Sequence, residues 1–85
     1  MTNADRIRQK LETIFKEGMS AHQDGITVVS GDLHKATEFI PGSHPNQMPS
    51  VCNIMREKLR AVDEVLHETP SGKSSTLKIR YRLPR

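Results

Sequence analysis

The sequence predicts an α+β domain: three helices, a short strand after the first helix and a C-terminal β-hairpin. Three observations carry this. Apolar residues recur at helical spacing in three separate segments, a β-branched run stands between two glycines, and the last ten residues alternate between apolar and basic side chains.

The first helix is expected over about residues 4–17, where Ile7, Leu11, Ile14 and Phe15 form one stripe. Asn3 suits the N-cap, Asp5 the positive end of the helix dipole, and Gly18 the turn that ends the helix, with Met19 folding back toward Ile14. Ile26-Thr27-Val28-Val29, between Gly25 and Gly31, reads as a brief strand. Ser30 is placed to cap a second helix whose Leu33, Ala36 and Ile40 share a face, ended by Pro41-Gly42. A third helix is expected from Asn46 to Arg60. Its apolar line is Met48, Val51, Cys52, Met55 and Leu59, and Pro49 lies in its first turn.

Glu64–Thr69 and Thr76–Leu83 then form the two strands of a hairpin around Pro70-Ser71-Gly72-Lys73-Ser74-Ser75. On the returning strand Leu77, Ile79, Tyr81 and Leu83 fall on one face, and Lys78, Arg80 and Arg82 on the other. The expected register turns Val65 and His67 inward, because the alternative buries Glu64 and Glu68. Glu64, Leu66 and Glu68 then share a face with the cations and offset part of their charge, leaving Lys73, Arg82 and Arg85 the freest. The expected core is Ile7, Leu11, Ile14, Phe15, Ile26, Val28, Leu33, Ala36, Val51, Cys52, Met55, Leu59, Val65, Leu77, Ile79 and Tyr81.

Eighty-five residues, 34% of them hydrophobic, suit a single domain (1–85) with a lean core. No stretch approaches a membrane span or a signal peptide, and Cys52 is the only cysteine, so a cytoplasmic protein with no membrane partner is expected. The net charge of +3 is uneven. Residues 1–55 hold five basic and six acidic residues, whereas residues 56–85 hold eight and four. A basic excess confined to the C-terminal third favours a polyanionic partner.

The order helix, strand, helix, helix and two-stranded ribbon resembles the winged helix-turn-helix superfamily across nearly the whole chain, without a signature motif. The resemblance implies a non-enzymatic, regulatory DNA-binding protein. The helix at 46–60 would lie in the major groove and the 64–83 hairpin, the wing, on the backbone. Asn46, Gln47, Ser50, Asn53, Arg56 and Arg60 would line that helix, with Asn53 able to pair with adenine. The helix-terminal N–H groups near Gln47 and Met48 would hold a phosphate, and Lys73, Lys78, Arg80 and Arg82 would neutralise others. Glu57, central on the outward face, opposes phosphate, and residues 37–46 are long for a tight helix-turn-helix turn.

The alternative is a protein-interaction module or homodimer seeded by Ile54 and Leu66. Catalytic chemistry, cofactors, metals and small-molecule substrates find no support in the sequence. The four histidines lack ligand spacing, Cys52 lies on an apolar face, and Gly72-Lys73-Ser74 joins two strands and lacks the first glycine of a phosphate loop.

Overall fold

In a computed structural model, residues 2–43, 46–68 and 74–85 are described. The chain runs α1 (Asn3–Ser20), β1 (Gly25–Val29), α2 (Ser30–Ala36), α3 (Met48–Glu57), β2 (Glu64–His67) and β3 (Lys78–Arg82). The strands make one antiparallel sheet in the order β1-β3-β2, so β3 is central. Among the described residues, no helix is long and apolar enough to cross a membrane.

α1 buries Ile7, Leu11 and Phe15 as its stripe requires. Its N-cap is Thr2 and not Asn3. Thr2 Oγ1 accepts from the Asp5 N–H, and Asp5 Oδ2 accepts from the Thr2 N–H, a reciprocal capping box. Asn3 instead accepts from the Ile40 N–H at 2.8 Å, fastening the α2–α3 connection to α1. Gly18 does not end the helix. It is buried within it, where a Cβ would lie 2.7 Å from the Leu83 Cδ1, so close packing and not a turn calls for glycine there. The left-handed residue beyond the helix is His22, with φ 59°.

α2 begins at Ser30 itself, and Ser30 is no cap. Its hydroxyl donates to the Ser74 carbonyl at 2.7 Å. The Ser30 and Gly31 N–H groups donate to the carbonyls of Leu77 and Ser75 at 2.8 and 2.9 Å. The orphan amides of this helix start are thus satisfied by the segment entering β3. α2 stops at Ala36, because Thr37 is extended and its buried hydroxyl closes on the Leu33 carbonyl. Ala36 is therefore exposed and outside the core, contrary to the helical stripe. A Cβ on Gly31 would sit 2.9 Å from the Ser75 carbonyl oxygen. Gly31→Ala should therefore destabilise the domain by about 1–3 kcal/mol despite better helix propensity. A Tm at or above the wild-type value would contradict this contact.

α3 is shorter at both ends than the apolar spacing suggests. It buries Val51, Cys52, Ile54 and Met55. Because it ends at Glu57, Leu59 leaves the apolar line and is exposed. Ile54, expected at the surface, is 3% exposed, in the seam with α1 beside Ala4 and Arg8.

β3 follows its alternation: Leu77, Ile79, Tyr81 and Leu83 are buried, and Lys78, Arg80 and Arg82 are exposed. Ile14 and Ile26 pack only partly buried at the margin of the core. Tyr81 donates to the Met55 carbonyl at 2.7 Å and meets Phe15 edge-on at 4.9 Å between centroids. β2 departs from its expected register. Glu64 pairs with Arg80 and Val65 with Ile79, but an irregularity at Leu66 sets His67 opposite Lys78. His67 thus joins the cationic side and does not turn inward, and Val65, on an edge strand, stays exposed. Glu68 pairs with Arg56 of α3 and not with the stripe.

Candidate functional site

Two surfaces emerge where the sequence suggested one. The first is the outward side of α3. Asn53 is exposed there and Ser50 half-buried, and the first turn carries no acidic residue. Asn46 and Gln47 precede the helix, but the amides expected to hold a phosphate are already engaged. The Gln47 N–H donates to His34 Nε2 at 3.3 Å, and the Met48 N–H to Asn46 Oδ1 at 3.1 Å.

Glu57 is held by Arg8 of α1 in a two-bond fork, Nε to Oε2 at 2.8 Å and Nη2 to Oε1 at 2.9 Å. The guanidinium keeps the Glu57 carboxyl below its ordinary range, and Glu57 raises the Arg8 guanidinium in return. The carboxylate that would oppose phosphate is thereby neutralised. Arg8 lies 49 residues from Glu57, so only the packing of α1 on α3 reveals the pair.

The hairpin stands beside this helix. The Cys52 thiol donates to the Ser74 carbonyl at 3.4 Å, and Arg56 reaches Glu68. Arg60, by contrast, is a clamp, its Nη2 donating to the carbonyls of Arg82 and Pro84 at 3.0 and 3.3 Å. Lys73 lies outside the described residues.

The second surface is the outer face of the sheet. Tyr81 reaches α3 from the inner face, so Lys78, Arg80 and Arg82 point away from the helices. These cations and the α3 residues therefore belong to opposite sides of the domain. Arg85 joins neither set and is far from free. Its guanidinium bonds Asp63, the Arg82 carbonyl and the Lys58 carbonyl, over the rings of Phe15 and Tyr81. Sequence reasoning missed this ion pair because neither partner lies in a periodic segment.

Among the described residues, no group of three or more His, Cys, Asp or Glu side chains is placed to hold a metal ion. No protein-family model matches this chain, and neither a curated protein nor a solved structure does so.

Proposed function

We infer that the chain is a small DNA-binding module of winged-helix type, with α3 as its reading helix and the β2–β3 hairpin as its wing. The observation that carries this is the fastening of the hairpin to α2 and α3. Bonds from Ser30, Gly31 and Cys52 to the carbonyls of Ser74 and Ser75 hold the wing's return against the Cys52 and Arg56 side of α3. The order β1-β3-β2 also suits this layout. The side offers uncharged hydrogen-bonding groups, and its one central carboxylate is cancelled by Arg8. Short polar side chains on a helix can reach base edges in a major groove.

The proposed interface keeps Asn46, Gln47, Ser50, Asn53 and Arg56, and it drops Arg60, Lys78, Arg80 and Arg82, which lie or work elsewhere. Few phosphate contacts are then made. With one or two phosphates neutralised, affinity for a duplex should fall roughly 3- to 12-fold between about 50 and 200 mM salt. Amide shifts on titrating the labelled chain with duplex DNA should centre on Ser50, Asn53 and Ser74–Thr76. Asn53→Ala should cost about 1–3 kcal/mol of discrimination. Undisturbed α3 amides at low salt would sink the reading.

A second reading, self-association, draws on the exposed apolar side chains of Val62 and Leu66. Ile54 no longer belongs to it, being buried. A mass that grows with concentration, without any DNA effect, favours this reading.

A further inference from the structure

The outer sheet face carries the domain's unengaged guanidinium groups. Of the seven arginines in the chain, Arg6, Arg8, Arg56, Arg60 and Arg85 are bonded to carbonyls or carboxylates of their own chain. The side chains of Arg80 and Arg82 make no hydrogen bond or ion pair among the described residues, although Glu64 stands opposite Arg80 in the sheet. They sit two positions apart on the central strand, with Lys78 two positions further on.

Arg80 is also pre-positioned. Its guanidinium lies across β1 at Gly25, where a Cβ would stand 2.9 Å from Nη2. The two arginines line a depression with Asp24, Val62 and Glu64, and Lys78 lines the next one with Val29 and Leu66. Val62 and Leu66 are 59% and 45% exposed. The result is a line of cations spaced roughly 7 Å apart, flanked by apolar side chains.

We propose that this face binds an extended acidic peptide segment of a partner protein, with alternate carboxylates on Arg82, Arg80 and Lys78. Successive same-side residues of an extended chain repeat at the pitch of the cations. Planar guanidinium groups pair carboxylates in two-bond forks. Nucleic acid fits less well. Two carboxylates, Asp24 and Glu64, stand against the three cations, and the small net field left matches a few carboxylates on one short segment better than the dense charge of a phosphate backbone. Tyr81 and Phe15 are buried and Phe39 packs on His34, so among the described residues the His67 imidazole alone offers a ring here for base stacking. The proposal is independent of the α3 reading, since the two surfaces lie on opposite sides.

The test titrates the full labelled chain with a short, end-blocked peptide alternating glutamate and leucine. A control peptide carries glutamine at every glutamate. The glutamate peptide should give saturable shifts at Lys78, Arg80 and Arg82, leave the Ser50 and Asn53 amides in place, and lose its effect in the glutamine form. The combined Arg80→Gln and Arg82→Gln variant, changed only at exposed positions, should keep its Tm and bind at least about tenfold more weakly. Absence of these shifts, equal binding of the glutamine peptide, or indifference to the variant overturns the proposal. So does a single-stranded oligonucleotide that moves the same amides at lower concentration, because it assigns the face to nucleic acid. Duplex binding that centres on α3 and survives the double variant is a separate outcome.

Discussion

Asp63→Ala is expected to cost about 3–5 kcal/mol, enough to unfold a domain of this size or bring it close to unfolding. The Asp63 side chain is 0% exposed and the Arg85 side chain 9%. Asp63 Oδ1 accepts from the Arg82 N–H at 2.7 Å and from Arg85 Nη1 at 2.9 Å. Oδ2 accepts from the Arg60 N–H at 2.7 Å and from Arg85 Nη1 at 3.0 Å. Truncation strands a buried guanidinium and two backbone donors together. Thermal unfolding followed by circular dichroism should show a Tm at least about 15 °C lower. Adding Arg85→Met removes the stranded charge, so the double variant should be less destabilised than the sum of the single changes. A Tm close to wild type in Asp63→Ala would refute the account.

The same carboxylate gives a pH signature. Burial pushes the Asp63 carboxyl up, but Arg85 and the Arg82 and Arg60 amides outweigh it and hold the group below its ordinary value of 3.8. A carboxyl depressed in the folded state stabilises it at pH above the unfolded value. That contribution is lost as pH falls through the folded value. Asp5, held low by the Thr2 N–H and hydroxyl, and Glu57, held low by Arg8, add to the same acid limb. Subtracting the acid limb of the Asp63→Ala, Arg85→Met double variant from that of wild type isolates the share of the Asp63–Arg85 pair.

Ile54→Ala should cost about 2–5 kcal/mol, and Ile54→Asp should prevent folding. A residue on a solvent-facing edge of α3 would give changes within about 0.5 kcal/mol, so equilibrium denaturation separates the two placements sharply. The burial of Ile54 also closes the seam in which Arg8 meets Glu57. A folded alanine variant should therefore loosen that fork as well. Stability of Ile54→Ala equal to wild type would place α1 elsewhere.

The period-two alternation of β3 was legible in full, because one strand buried on one side leaves no other solution for Leu77, Ile79 and Tyr81. The α1 stripe and the β1 run were legible for the same kind of reason. Helix ends were not. Thr2 displaced Asn3 as the cap, and Ser30 turned from cap to cross-chain donor, because each choice depends on a partner that periodicity does not describe. Ile54 was misplaced because a narrow stripe was assumed where α3 meets both the sheet and α1. The candidate site was legible in residue type but not in arrangement. The alternation correctly grouped Lys78, Arg80 and Arg82, yet it could not say that this group faces away from Asn53. Arg60 and Arg85 look like free cations in a sequence. Their backbone and aromatic partners appear only once Asp63, Phe15 and Tyr81 converge.

The start of α2 has a consequence for how the chain folds. Its first hydroxyl is satisfied by a carbonyl 44 residues downstream, and its first amides by that same returning segment. A two-turn helix is too short to persist alone. α2 therefore becomes stable only when the last quarter of the chain has returned to meet it. Such long loops must close before their contacts contribute, which makes the topology slower to form than a helical bundle of equal length. It also makes the domain one cooperative unit, in which opening the hairpin and fraying α2 are the same event.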